Sequence, residues 1–258
     1  MILYYKNIPI HFTEHGVGDT IVLLHGFLEN STMWKDLIPQ ISRRHHVLAI
    51  DLLGHGNTGC LGYIHTMEEM SEAVNFVLEH LSIKEATFIG HSMGGYVALA
   101  FAELYPKKIR GLCLMNSTSM ADTQEKRNNR DRAIKAVKQN HQTFISMSVS
   151  NLFAPNNRER LIKEIEEVKK EALKIPVQGI VAALEGMKIR KNREFILHHN
   201  NFKKMMIIGQ KDPVLNYESL IHQTKGTDVK IIEFSDGHMS HIENNKELSY
   251  NIMLFIEK

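Results

Sequence analysis

The chain is poor in the residues that brace small secreted proteins. Of its 258 residues only two are cysteine, six are proline and one is tryptophan. Two cysteines cannot build a disulfide framework, and Cys113 lies in the apolar run Leu112-Cys113-Leu114-Met115, where a small buried thiol is expected. A reducing, cytoplasmic setting is the expectation. Long apolar runs are also missing. No segment has the length to span a bilayer, and Met1-Ile2-Leu3-Tyr4-Tyr5-Lys6 shows neither the basic start nor the apolar stretch of a secretory signal. An excess of one charge is lacking too: 31 basic residues face 29 acidic ones, which gives no overall field for nucleic acid.

What is present is apolar material, 43% of the chain, enough for one large core. One domain carrying an insertion fits this length better than two equal domains. Short apolar runs alternate with longer amphipathic segments. Ile21–Leu24, Val47–Ile50, Thr87–Ile89, Gly111–Met115, Met205–Ile208 and Val229–Phe234 read as strands, and their near-continuous apolar character suits a parallel sheet covered on both faces. Met67, Met70, Val74, Val77, Leu78 and Leu81 recur at helical spacing, as do Leu248, Ile252 and Ile256 near the C-terminus. The alternation predicts an open, mostly parallel α/β sheet with right-handed crossovers, and residues 1–14 read as an edge hairpin.

The alternation breaks between residues 119 and 203, where several helices and no strand are expected. Ile134 and Val137 mark one helix, and Leu161, Ile165 and Val168 another. The predicted division is therefore a core of residues 1–118 and 204–258 with a helical insertion over 119–203. From Ala121 to Lys204 the chain holds 18 Lys and Arg against 10 Asp and Glu. Solvated helix faces account for such a bias, and a positive surface that draws in anionic substrates is the sharper alternative.

Gly90-His91-Ser92-Met93-Gly94-Gly95 follows the strand Thr87–Ile89 and precedes the helical run Tyr96–Phe101. A serine in G-x-S-x-G at a strand-to-helix turn stands clear of the backbone, at a helix N-terminus that favours developing negative charge. Ser92 is thus the candidate nucleophile. A serine hydroxyl needs a base, and the base needs an orienting acid. Asp212, past the strand Met205–Ile208, and His238, past the strand Val229–Phe234, supply them in the order Ser, Asp, His. His241 is a second candidate base but falls toward the last helix. Asp122 is a second candidate acid but falls within the insertion. The oxyanion hole is expected from the backbone N–H groups of Phe27 and Met93.

His25-Gly26-Phe27, Asp51-Leu52-Leu53-Gly54-His55-Gly56, Gly90 to Gly95, Gly209 to Asp212 and Gly237-His238 together resemble the α/β-hydrolase superfamily, from about residue 20 to the C-terminus. The resemblance implies an eight-stranded sheet, a helical cap over the active site, no cofactor and no metal. It carries the triad over to Ser92, Asp212 and His238, and the oxyanion hole to Phe27 and Met93. His25, His55 and His91 then look like structural members of the family motifs. Dehalogenases and epoxide hydrolases of the family use aspartate as the nucleophile, and residues 119–203 lack the cap tyrosines of the epoxide hydrolases.

The expected function is a carboxylesterase-like serine hydrolase that takes a small-molecule ester and water. Two rivals stay open. One is a C–C bond hydrolase or lyase acting on an anionic substrate, favoured mildly by Lys188, Arg190, Lys191 and Arg193. The other is a non-catalytic binding module on the same fold. Phe144, Phe153, Phe195 and Phe202 either line a pocket or form core, and core is the ordinary role of large apolar side chains. No pattern specifies an oligomeric state.

Overall fold

The computed structural model describes residues 1–199 and 202–257. An eight-stranded sheet runs through it in the order β1-β2-β4-β3-β5-β6-β7-β8, from β1 (Ile2–Tyr5), β2 (Ile8–His15), β3 (Thr20–Leu24), β4 (His46–Ile50), β5 (Ala86–His91), β6 (Ile109–Met115), β7 (Lys203–Gly209) and β8 (Lys230–Phe234). The hairpin β1–β2 is antiparallel and joins β4 antiparallel, while every pairing from β4 through β3 to β8 is parallel.

Alternate side chains of each parallel strand serve opposite layers, which is why these strands are apolar along their length. Val22, Leu24, Leu48, Ile50, Phe88, Leu112, Leu114, Met206 and Ile208 face one layer. Ile21, Leu23, Val47, Ala49, Ile89, Cys113, Met115, Met205 and Ile207 face the other, against Trp34 and the C-terminal helix.

Eleven α-helices are present among the described residues. They are α1 (Ile38–Ile41), α2 (Met67–His80), α3 (Met93–Leu104), α4 (Gln124–Gln139), α5 (His141–Ser150), α6 (Ile162–Ala172), α7 (Val177–Lys188), α8 (Phe195–His198), α9 (Tyr217–Gln223), α10 (Ser240–Glu243) and α11 (Asn245–Glu257). Thr66 and Glu69 close a capping box on α2, whose apolar stripe Met67, Met70, Val74, Val77 and Leu78 is buried. Helices α4 to α8 all lie between β6 and β7 in the chain. Their apolar residues Ile134, Val137, Ile145, Val149, Ile165, Ile180 and Leu184 join the same core cluster as α2 and α3. No helix among the described residues is long and apolar enough to cross a membrane.

Strand β5 runs two residues past the expected Ile89. Gly90 and His91 continue the ladder opposite Leu114 and Met115, so the turn begins at Ser92 itself. Gly90 is small because α3 comes back over it, not because the chain bends there: a β-carbon on Gly90 would overlap the backbone of Gly94.

Candidate active site

Parallel register brings distant loops to one edge. Leu24 lies beside Gly90, His91 beside Met115, Met115 beside Ile207, and Gly209 beside Phe234. The loops that leave β3, β5, β6, β7 and β8 therefore start next to one another, as carboxyl ends do at ligand sites in α/β sheets.

Ser92 sits at φ +49° and ψ −112°, a region that a β-carbon disfavours. Its neighbours hold it there. Its N–H donates to the Met115 carbonyl at 2.9 Å, and its own carbonyl accepts from Ser117 Oγ at 2.8 Å. Helix α3 starts at the next residue. A β-carbon on Gly94 would overlap the Leu24 carbonyl, so only glycine lets α3 approach β3 this closely.

His238 is buried, not exposed on a turn tip. Its Nδ1 lies 2.6 Å from Asp212 Oδ2. The other carboxylate oxygen of Asp212 accepts from the N–H groups of Val214 at 2.8 Å and Leu215 at 3.0 Å. Burial pushes the Asp212 carboxyl up, but the imidazole of His238 and those two amides outweigh it and hold the carboxyl below its ordinary range. Asn116, at φ +44° past β6, braces this pair: its Nδ2 donates to the Gly237 carbonyl at 3.1 Å and reaches Asp212 Oδ2 at 3.4 Å.

Ser92 and His238 line one cavity of about 90 Å³ with Phe27, Leu28, His91, Arg130, Ser148, Leu152, Met187 and Val214. No hydrogen bond joins the Ser92 hydroxyl to the His238 ring, whose only ring contact to a described hydrogen-bond partner is Asp212. The N–H groups of Phe27 and Met93 donate to no described residue, and Leu28, next to Phe27, is turned to φ +64°. Phe144, Phe153, Phe195 and Phe202 are absent from these walls; Phe153 is fully buried in the core, and Phe144 and Phe202 pack against it.

The two rival residues are engaged elsewhere. The Asp122 carboxylate is paired with Arg130 and, at 2.5 Å, with Arg190. His241 Nε2 lies 3.6 Å from Glu29 Oε1, and its ring meets that of His91 edge-on. The basic residues singled out in the sequence are also engaged. Lys188 pairs with Asp131 and Glu185, Lys191 with Glu68, and Arg193 with both Glu68 and Glu103. These pairs tie α7 and the loop after it to α2, α3 and α4.

Behind Ser92 lies a group that sequence reasoning missed. Glu29, 5% exposed, accepts from the Gly26 N–H at 2.8 Å and from His91 Nδ1 at 2.6 Å. His91 Nε2 lies 3.0 Å from the His238 carbonyl. Both nitrogens of His91 thus meet acceptors, which requires a proton on each. Burial lowers the pKa of His91, but Glu29 outweighs burial and raises it. Burial raises that of Glu29, and His91 with His241 brings it down to about 2. Glu29, His91 and His241 also place ligand-type atoms within 4.8 Å of one another; Glu29 Oε2 and His91 form an ion pair, while Glu29 Oε1 and His241 Nδ1 make no hydrogen bond to a described residue. His25 accepts from the Leu52 N–H at 2.8 Å, and His55 Nδ1 lies 3.1 Å from the Leu53 carbonyl.

The chain belongs to the alpha/beta hydrolase fold family, whose model matches residues 19–245. It is similar to a thermophilic esterase from Thermogutta terrifontis (malate bound), with 26% identity, coverage of 97% of this chain and 93% of that one, and a TM-score of 0.89. The enol-lactonase from Burkholderia xenovorans LB400 superposes over 100% of both chains with a TM-score of 0.92, and at 19% identity it speaks for the fold alone. By sequence the chain is similar to the dihydrolipoyllysine-residue acetyltransferase component of the acetoin cleaving system of Pseudomonas putida, 27% identical over 93% of this chain. It is also similar to the bifunctional epoxide hydrolase 2 of Sus scrofa, 30% identical over 46% of this chain. It spans only 64% and 22% of the length of those two proteins.

Proposed function

We propose that the protein is a serine hydrolase of small carboxylic esters, working through Ser92, His238 and Asp212. The observation that carries this reading is the 2.6 Å contact between His238 Nδ1 and Asp212, made at the wall of the cavity that also holds Ser92. A carboxylate on Nδ1 fixes the tautomer with Nε2 unprotonated and stabilises the imidazolium that follows. His238 Nε2 takes the Ser92 proton as Oγ attacks the ester carbonyl. The N–H groups of Phe27 and Met93 receive the oxyanion. The alcohol leaves with the proton from His238, and water attacks the acyl-enzyme by the same route in reverse. The contact between nucleophile and base commonly closes only around a bound substrate.

Helices α4 to α8 act as a cap, since Arg130, Ser148, Leu152 and Met187 close the cavity from that side. Its volume is about 90 Å³. A short acyl group fits. The esterase likeness supports an ester over an epoxide, as does a serine at the nucleophile position. A cytoplasmic setting is our reading of the two unbridged cysteines, Cys60 and Cys113.

Hydrolysis of a 4-nitrophenyl ester series from acetate to octanoate tests the reading. The specificity constant is expected to be highest at the two shortest chains, and Ser92→Ala to lower turnover by about 10⁶-fold. Full activity in Ser92→Ala would refute the assignment.

A further inference from the structure

Among the described residues, Arg130 is the one lysine or arginine on the wall of the cavity that holds Ser92. Through Nε and Nη2 it holds Asp122, while its Nη1 makes no hydrogen bond to a described residue. Asp122 is shared. Arg190 Nη1 bonds its Oδ1 at 2.5 Å, and the Arg190 guanidinium lies 4.1 Å from the centre of the Tyr96 ring. Two guanidinium groups therefore meet one buried carboxylate and leave a positive charge in excess.

Lys126 adds to that excess. It lies one turn before Arg130 on α4, is only half exposed, and has no carboxylate partner among the described residues. Burial, with Arg190 close by, lowers its pKa. The next carboxylate, Asp212, is committed to His238. The cations of α7 and the loop after it behave differently, since Lys188, Lys191 and Arg193 each have a carboxylate. Uncompensated charge in a partly desolvated wall calls for a counter-ion, and Arg130, whose Nη1 has no described partner, lines the cavity that holds Ser92.

We propose that Arg130, backed by Arg190 and Lys126, is an anion subsite, and that the substrate is a small ester carrying a free carboxylate. Asp122 holds the guanidinium in place so that Nη1 is left for the ligand. The cavity volume of about 90 Å³ limits that ligand to a few carbons beyond the carboxylate. The reaction assumed is the ester hydrolysis proposed above, but recognition of the anion does not depend on turnover.

Calorimetric titration of the full chain with succinate and with succinamide, which differ in charge and little in shape, tests the subsite. Succinate is expected to bind roughly tenfold tighter or more, in line with a charge-assisted contact. Arg130→Gln, which can still donate to Asp122, is expected to abolish the preference, and Arg130→Lys to keep part of it. Equal binding of the two ligands to the native chain would overturn the proposal, and that comparison requires no variant to fold. A preference undiminished in folded Arg130→Gln would overturn it too. Selective succinate binding without ester hydrolysis would refute the hydrolase reading and leave the subsite standing, and hydrolysis without selectivity would do the reverse.

Discussion

Glu29 holds His91 as an imidazolium directly behind Ser92. The 2.6 Å contact from Nδ1 to the carboxylate frees Nε2–H for the carbonyl of His238 at 3.0 Å, and the same carboxylate fastens the Gly26 N–H at 2.8 Å. One buried ion pair thus ties the loop after β3, the turn at Ser92 and the backbone of His238. Glu29→Gln keeps an acceptor but removes the charge, so burial is left to neutralise His91. Losing one partner of a buried pair commonly costs about 3–5 kcal/mol, and the amide retained by glutamine places this variant toward the low end. Urea unfolding checks it, and a change under 1 kcal/mol would show that the pair contributes little.

The histidines set opposing trends with pH. Burial lowers His55 to about 3 and His241 to about 4, and it lowers His25 as well. Below the ordinary value of 6.5 the unfolded chain binds protons that these folded sites refuse, so stability is lost as pH falls from about 6.5 toward 4. His91 is raised, so its contribution is complete below 6.5 and is lost as pH climbs through its higher folded value. Glu29 contributes above its ordinary 4.5 and loses that contribution only as pH falls toward 2. Urea midpoints are therefore expected to rise from pH 4 to about 6.5 and then decline. In Glu29→Gln the alkaline decline is expected to vanish. A native profile flat from pH 4 to 6.5 would contradict the burial of neutral histidines.

His238 and His241 separate cleanly by mutation. His238→Ala is expected to lower kcat by about 10⁴-fold or more, and Asp212→Asn by about 10⁴-fold through loss of the correct tautomer. His241→Ala, which lies beside Glu29 and His91 and is absent from the walls of the Ser92 cavity, is expected to stay within about tenfold of the native rate. Steady-state kinetics on one short ester read all three. A larger loss at residue 241 than at residue 238 would reassign the base.

Arg193 is 2% exposed and joins the segment between β6 and β7, the proposed cap, to α2 and α3, with Nη2 at 2.6 Å from Glu68 on α2 and Nε at 2.9 Å from Glu103 on α3. Arg193→Met keeps the aliphatic stem, removes the partner of Glu103 and leaves Glu68 with Lys191 alone. A loss of about 3 kcal/mol is expected, with the cap opening to protease before the sheet does. Limited proteolysis followed by mass spectrometry reads the order of cleavage; simultaneous loss of cap and core would show that the bridge does not anchor the cap separately.

The residues legible in the sequence are those whose role is written in their neighbours. Ser92 has its strand, its glycines and its helix beside it, and Asp212 and His238 each follow an apolar strand. Glu29 has none of this. It is a single acid in a loop, and its partner His91 becomes a neighbour only because β3 and β5 pair in register. Arg130 is hidden for a different reason: it sits among Arg127, Asp131 and Arg132 on a helix polar nearly all round, so only packing decides which cation turns inward. Lys188, Lys191 and Arg193 carry no sequence mark of the carboxylates that pair with them. The end of β5 was obscured because Gly90 resembles a strand stop and instead makes room for α3.

Labelling with a fluorophosphonate, followed by peptide mass mapping, tests the nucleophile most directly. One adduct is expected, on Ser92, forming rapidly in the native chain and at least about 10³-fold more slowly in His238→Ala. A folded native chain that stays unlabelled, or one that labels elsewhere, would contradict a serine activated by His238.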